Sequence, residues 1–252
     1  MEKKEKLLVV TSWDDAGKID IKLCELLERY NLKGTFYIIN NWIGDKISPE
    51  EILNISEHHE IGAHTLNHVD LTQIRDEDAF TEISKSKILL ENLIKKPITS
   101  FAYPLGRYNQ NVVKIVRDSG YICARTTKPF YVKPPENPYE INVTLWAYPH
   151  ALRDTKGLFR LFRIFPDIVY NPLKIKQWDK LGNHIFDLML QFGGVFHIFG
   201  HTWQLDKKDG WKKLEELFRH ISFRKEVRYV TVTEMIHACG ESRRGDKNVG
   251  DN

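Results

Sequence analysis

Short apolar segments alternate with longer amphipathic segments along most of this 252-residue chain. The first apolar run, Leu7 to Ser12, precedes a helical pattern from Ile19 to Tyr30, and a second apolar run, Gly34 to Ile39, follows it. The alternation returns near the end, where the last apolar run is Val227 to Val232. Repeated strand–helix alternation is typical of a parallel sheet covered by helices. We therefore expect an α/β fold, a (β/α) barrel that is incomplete or distorted.

The composition is that of a globular protein with a large core. Hydrophobic residues make up 42% of the chain and aromatic residues 12%, which is enough for one barrel-sized core. Thirty-seven Lys and Arg against 34 Asp and Glu leave a net charge of +3, and this balance argues against a nucleic-acid partner. We expect one domain over residues 1–252, with an irregular insertion at about 128–187 and a frayed tail from about 241.

The cysteines and the first residues bear on the cellular compartment. Cys24, Cys123 and Cys239 lie far apart and are odd in number, so the sequence favours a reducing compartment over a disulfide framework. The charged start, Met1 to Lys6, leads directly into the first predicted strand without an apolar signal core. No apolar run reaches the roughly 18 residues of a membrane span. The sequence therefore predicts a cytoplasmic protein without a transmembrane segment.

The segment 128–187 follows the alternation less well. It contains a proline-rich turn with four prolines between residues 129 and 138, and a predicted strand from Ile141 to Ala147. An aromatic and basic segment from Leu158 to Tyr170 follows, and it begins with the stretch Leu158 to Phe165. The simpler interpretation of this stretch is a helix that packs its apolar face on the core. A role in shaping a substrate cleft or a partner surface is the alternative.

Acidic residues and histidines follow two of the predicted strands. Asp14 and Asp15 end the first apolar run, and His64 and His68 follow the short run that ends at Ala63. Active sites of barrel enzymes lie at the C-terminal ends of the strands. Adjacent strand residues point to opposite sides, so the two aspartates are expected to have different roles. Two histidines and one carboxylate make an open catalytic zinc site, which leaves the second carboxylate free and predicts a metal-dependent hydrolase.

These segments resemble the motifs of the polysaccharide deacetylases, carbohydrate esterase family 4. Thr11 to Ala16 resembles the motif Thr-Phe-Asp-Asp-Gly, and His64 to His68 matches His-Ser/Thr-x-x-His at every defined position. Ala102 to Gly106 resembles Arg-x-Pro-Tyr-Gly with departures, and Val195 to His201 is similar to the late strand that carries the catalytic histidine. The resemblance extends from about residue 7 to about 235 and implies a seven-stranded deacetylase-type barrel.

The resemblance also implies a metal site and a base. A divalent ion, most commonly Zn²⁺, would be held by Asp15, His64 and His68. Asp14 would be the general base. The implied substrate is an N-acetylated amino sugar in a glycan, an oligosaccharide or a glycolipid precursor.

Further residues of the implied site hold the oxyanion, protonate the leaving amine and contact the sugar. The backbone N–H of Leu105 would bind the oxyanion, and the nearby Tyr103 is a second candidate for substrate contact. His201 and His197 share one face of the late strand because their separation is even. His201 is favoured as the acid since it lies nearer the C-terminal end, and His197 is more simply a core histidine. Trp203 is either a sugar platform or a cap on the barrel core.

The sequence departs from the family pattern at three positions. Ala102 stands where the family has the arginine that orients the base, so Arg125 or Arg107 is expected to replace it. Arg125 is favoured because it too follows a predicted strand. Leu105 replaces a tyrosine, which matters little if only its backbone N–H is used. Ala16 replaces a glycine and indicates a different turn after the aspartates.

Three functions are compatible with these motifs. A metal-dependent N-deacetylase is favoured. The same fold and metal could instead hydrolyse a formamide, ureide or cyclic imide C–N bond in a small molecule, as relatives of the family do. A catalytically inactive, glycan-binding barrel is the third, and it predicts the loss of at least one residue among Asp14, Asp15, His64, His68 and His201, all of which are present. The oligomeric state is not indicated by the sequence.

Overall fold

The computed structural model describes residues 7–149, 155–164, 177–207 and 209–247. In these parts of the chain, eight strands form one parallel sheet. The strands are β1 (Leu7–Trp13), β2 (Gly34–Ile38), β3 (Glu60–Ala63), β4 (Ser100–Ala102), β5 (Cys123–Arg125), β6 (Leu145–Trp146), β7 (Val195–Gly200) and β8 (Val227–Val230). The helices are α1 (Asp20–Arg29), α2 (Pro49–His58), α3 (Asp76–Ile94), α4 (Gln110–Asp118), α5 (Thr155–Ile164), α6 (Trp178–Phe192), α7 (Thr202–Leu205), α8 (Gly210–Ile221) and α9 (Val232–Lys247).

The sheet is organised around β1. One edge of β1 pairs with β7 over six residues. Its other edge is shared, because β8 pairs with residues 7–10 and β2 pairs with residues 11–13. From β2 the order continues through β3 and β4 to β5, while β6 flanks β7 on the far side. The expected incomplete (β/α) barrel is confirmed, with β8 as an eighth strand inserted beside the lower half of β1.

Residues 141–146 lie across the gap between β5 and β7. Ile141 forms a single parallel bridge with Arg125. The Thr144 N–H then donates to the His197 carbonyl at 2.8 Å, and Leu145 pairs with Ile198. The strand expected from Ile141 to Ala147 is therefore only two residues long, because the segment leaves β5 after one bridge and then follows β7.

Most of the strands are buried on both faces, which explains their largely apolar sequences. All seven residues of β1 are buried. Val10 belongs to a core cluster inside the curled sheet with Cys123 and Val195. Val9 and Trp13 belong to a larger cluster formed with the helices. Alternate residues of each strand can therefore point into the barrel, where the site residues lie.

Helices α2 and α5 show how the local sequence determines the helical segments. Ser48 and Glu51 form a capping box at the start of α2, with Pro49 in the first turn. The aromatic stretch expected to be helical lies in α5, where Phe162 packs on the core while Phe159 is exposed. Phe165, the last residue of that stretch, lies outside the described residues.

The three cysteines are buried. Among the residues described, no helix combines the length and the apolar composition that crossing a membrane requires.

Candidate active site

Asp14 and Asp15 leave the sheet directly after β1. The Asp14 N–H donates to the Gly200 carbonyl at 3.0 Å, so the pairing between β1 and β7 continues as far as Asp14. Asp15 then turns away with a φ of 59°. The turn brings both carboxylates to the same point, since His64 Nε2 is 3.7 Å from Asp14 Oδ2 and 3.8 Å from Asp15 Oδ1.

His64 follows β3 and is held by its backbone and its ring. Its N–H donates to the Ile38 carbonyl at 2.9 Å, which continues the pairing with β2. Its Nδ1 lies 2.8 Å from the Ala102 carbonyl. Because a carbonyl only accepts, Nδ1 carries the hydrogen and Nε2 keeps a free lone pair. Burial lowers the pKa of His64, although Asp14 opposes this, and the neutral ring is the form that binds metals.

Asp15, His64 and His68 have the composition and spacing of a metal site. Their ligand atoms all lie within 4.8 Å of one another. His68 Nε2 is 3.6 Å from Asp15 Oδ1, which is too long for a hydrogen bond. Ligand atoms of a tetrahedral zinc site with bonds of about 2.1 Å would lie roughly 3.4 Å apart. Asp15 Oδ1 is buried without a hydrogen-bond partner among the described residues, so the three side chains fit a divalent ion.

The Asp14 side chain forms an ion pair with Arg125 in addition to its longer contact with His64. An Nη2 of Arg125 donates to Asp14 Oδ1, and both side chains are almost completely buried. The guanidinium lies 4.4 Å from the Phe199 ring centroid and 5.1 Å from that of Tyr37. Burial by itself raises the pKa of Asp14, but Arg125, followed by His64, outweighs it and lowers the pKa. The carboxylate is therefore ionised near neutral pH and can accept a proton.

Of the two arginines predicted to orient this base, only Arg125 contacts it. Strand β5 includes Arg125 as its last residue and pairs it directly with Ala102. Directly paired residues point to the same face, so a guanidinium from β5 can occupy the space of one from β4. Arg107 instead donates to Asp70 at 2.7 Å on the surface.

The two candidate acids lie at different depths. His201 follows β7, and its Nε2 is 3.7 Å from Asp15 Oδ2. His197 lies inside the barrel, with Nε2 2.8 Å from Ser12 Oγ. Burial, assisted by Arg125, lowers the pKa of His197 to about 3. A neutral ring bonded to Ser12 is suited to the core, whereas His201 lies beside Asp15 at the end of β7.

Aromatic rings surround His201 at the rim. The Trp203 ring is 5.3 Å from the His201 ring and is 47% exposed, so it is accessible to a sugar. Tyr148 lies 6.4 Å from His201 and stacks on Trp146 at 5.3 Å. Burial raises the pKa of Tyr148; the nearby Asp14 carboxylate adds to this rise and Arg125 opposes it. Tyr148 and Trp146 were missed in the sequence because they lie in the segment where the motifs are weak.

The structure corrects the expectation for Tyr103. This side chain is fully buried and stacks on Tyr108, and its hydroxyl donates to the Tyr139 carbonyl at 3.0 Å. It packs outside the barrel with Phe101, because residues two apart on a strand share a face. Leu105, by contrast, has an exposed side chain in a turn with a φ of 58°.

The site concentrates unusual backbone conformations. Asp15, Thr65, His68 and Leu105 all have φ between 57° and 66°. This region is uncommon for residues other than glycine, and for a β-branched residue such as Thr65 it is an outlier. Such conformations persist only where the surrounding structure holds them, and they cluster at functional sites.

Asp20 is a buried carboxylate beside the site that the sequence reading did not single out. Its Oδ2 accepts from the Gly17 N–H at 2.7 Å and from Thr202 Oγ1 at 3.1 Å. These two donors belong to the loop after Asp15 and to the residue after His201. Asp20 therefore links the two loops that carry site residues.

The Asp20 carboxyl should make the free energy of unfolding depend on pH, and replacing it by asparagine should remove this dependence. Burial raises the pKa of Asp20 to about 7, against roughly 3.9 in an unfolded chain. A raised pKa means that the folded state binds the extra proton, so stability falls as the pH rises from about 4 to 7, by an amount on the order of 4 kcal/mol. We expect Asp20→Asn to match the parent near pH 4 and to exceed its unfolding free energy at pH 8. Urea unfolding of both metal-free proteins at several pH values measures this, and parallel pH profiles would contradict it.

Comparison with known proteins identifies relatives of the N-terminal half. The sequence profile of the polysaccharide deacetylase family matches residues 1–124. YxkH of Bacillus subtilis, named as a polysaccharide deacetylase, is 31% identical over 107 residues, which are 41% of this chain and 38% of that protein. The peptidoglycan-N-acetylglucosamine deacetylase of Bacillus cereus is 30% identical over 122 residues, 46% of this chain and 54% of that protein. The chain thus spans about half or less of the length of these curated relatives.

The fold likeness extends further than the sequence match. A crystal structure named as a polysaccharide deacetylase, from Mycobacterium smegmatis, superposes with a TM-score of 0.69 and 14% identity. The superposition covers 96% of this chain and 93% of that one, and it supports the incomplete barrel. The resemblance seen in the motifs is therefore confirmed: residues 1–124 match the polysaccharide deacetylase family, and the fold of the chain is similar to that of a structure named as such a deacetylase.

Proposed function

We propose that this protein is a metal-dependent N-deacetylase acting on an N-acetylated amino sugar within a glycan, an oligosaccharide or a glycolipid precursor. The observation that supports this proposal is that two neighbouring carboxylates have different partners. Asp15 faces His64 and His68, whereas Asp14 is bonded to Arg125. One carboxylate is thereby available to a cation while its neighbour is kept ionised as a base.

Asp15, His64 and His68 would hold the ion, most suitably Zn²⁺. When bound, such an ion polarises a carbonyl oxygen and lowers the pKa of water towards about 7. Asp14 then accepts the proton of the attacking water, and Arg125 keeps this carboxylate oriented. The water oxygen bonds to the acetyl carbon, and the C–N bond breaks as acetate forms.

The remaining residues act on the oxyanion, the amine and the sugar. The Leu105 N–H would donate to the oxyanion from its turn at the end of β4. His201 would give a proton to the leaving amine, which is too basic to depart as an anion. Trp203 and Tyr148 would pack against the sugar ring. The named activity of the Bacillus cereus relative supports an N-acetylglucosamine-containing substrate.

The alternative amide substrates lose part of their support. The absence of the family arginine at Ala102 is one sequence feature that favours them. Arg125 now pairs with Asp14 from the neighbouring strand, so the absence no longer indicates a different reaction.

The proposed function is tested by acetate release. We expect the protein with Zn²⁺ to release acetate from N-acetylglucosamine oligomers, to lose this activity after chelation, and to regain it when Zn²⁺ is added back. Enzymatic assay of free acetate and mass spectrometry of the sugar measure the reaction. Turnover of a formamide or ureide without acetate release would favour the alternative, and failure to bind Zn²⁺ would overturn both.

A further inference from the structure

The loop that carries the two histidines is held in an unusual backbone conformation. Thr65 and His68 both lie in the left-handed region, with φ of 66° and 57°. The His68 N–H donates to Thr65 Oγ1 at 2.9 Å, which closes the loop on itself. One hydrogen bond within the loop does not fix its whole backbone, so contacts with other segments are needed to hold this conformation.

Glu82, on helix α3, supplies one side of that support. Its Oε2 accepts from the Leu66 N–H and from the Asn67 N–H, both at 3.0 Å. Its Oε1 accepts from the Asn67 side-chain amide. Bonds from N–H groups to an ionised carboxylate are stronger than neutral ones, so Glu82 binds the loop with three charge-assisted contacts.

The turn Asn40–Trp42 supplies the opposite side. The N–H groups of Asn40 and Asn41 donate to the carbonyls of Thr65 and Leu66 at 3.2 and 3.0 Å. The Asn41 side chain also donates to the Asn67 Oδ1, so both ends of the Asn67 amide are bound. The loop is therefore clamped between α3 and this turn.

The two histidines depend on this clamp to different degrees. His64 is also fixed by its ring, through Nδ1 and the Ala102 carbonyl. For His68, no described residue forms a hydrogen bond with the ring, which is 24% exposed. The ring touches the His64 ring edge-on, with centroids 4.8 Å apart, but among the described residues it has no hydrogen bond to fix its direction. The position of this ligand therefore depends mainly on the loop backbone.

We propose that Glu82 is a positioning residue that presents His68 to the metal ion by holding the loop 65–68. The proposal rests on the metal-dependent function proposed above and adds a residue outside the motifs. Glu82 accepts from Leu66 and Asn67 rather than from the histidines, so we expect it to affect metal affinity rather than the chemical step.

The test is zinc affinity of the metal-free chain, measured by competition with a chromophoric chelator. We expect Glu82→Ala to weaken zinc binding roughly 10- to 100-fold, as for other residues that orient metal ligands. Glu82→Gln keeps an oxygen acceptor for the two backbone N–H groups and should recover most of the affinity. Glu77→Ala is the matched control. It removes a carboxylate from the same helix, but among the described residues the Glu77 carboxylate pairs only with the exposed Arg75 and not with the loop 65–68.

A second readout distinguishes positioning from general stability. Amide exchange at Leu66 and Asn67 in the metal-free chain should accelerate in Glu82→Ala and not in Glu77→Ala. Zinc affinity within twofold of the parent in Glu82→Ala would overturn the role of Glu82 while leaving the proposed function intact. A parent chain that binds no Zn²⁺ would instead overturn the proposed function and this inference with it.

Discussion

Asp14→Asn is expected to lower kcat by roughly 10²- to 10⁴-fold, which is the usual contribution of a general base. Asparagine has nearly the same shape, and its Oδ1 can still accept from Arg125, so the local structure should be retained. It cannot accept the proton of the attacking water. Acetate release under saturating substrate and Zn²⁺ measures the loss.

The neighbouring aspartate provides the control for this prediction. Asp15→Asn replaces a charged metal ligand by a weaker neutral one, so we expect zinc affinity and activity to fall together. In Asp14→Asn, zinc affinity should stay within a few-fold of the parent, because Asp14 is bonded to Arg125 and lies outside the ligand set. Unchanged turnover in Asp14→Asn would remove this residue from the base role.

The fold and the residues Asp14, Asp15 and His64 could be predicted because they depend on the order of the strands and on the residues that directly follow them. Strand order along the chain places residues after β1 and β3 at the same edge, which brought Asp14 and Asp15 near His64. The even spacing of His197 and His201 predicts that they share one face of the strand, but it does not predict how far each lies from the rim of the barrel. That difference depends on the register between β7 and β1, which pairs His197 with Val10, well below the rim.

The residues that were missed depend on contacts between distant segments. Glu82 and Asp20 look like ordinary helix-surface acids in the sequence, and only tertiary structure brings them to the loops they bind. Tyr103 was expected to contact the substrate, although strand alternation directs it outward to Tyr108. Tyr148 follows a strand only two residues long, too short to give a periodic signal.

Arg125→Ala is expected to be the most destabilising of these changes, with a loss on the order of 3–5 kcal/mol. Asp14 would be left buried without its cation, and burial, the largest influence on its carboxyl, would raise its pKa above the ordinary value. The sign of the pH dependence then reverses. In the parent, the lowered pKa of Asp14 adds stability at neutral pH that is lost as the pH falls through the folded-state pKa. In the variant, stability should decrease as the pH rises, and the acid limb of kcat should move to higher pH.

Moving the arginine back to strand β4 tests whether this loss arises from the missing charge. Ala102 pairs directly with Arg125, so the side chain of an arginine at position 102 would start about 4.8 Å away on the same inner face. We expect Ala102→Arg combined with Arg125→Ala to recover both stability and activity at neutral pH relative to Arg125→Ala alone. Unfolding free energies and pH–rate profiles of the parent, the single variants and the double variant measure this. If the double variant were no better than Arg125→Ala, the guanidinium would be required from β5 itself, through its packing between Phe199 and Tyr37, and the equivalence of the two positions would be wrong.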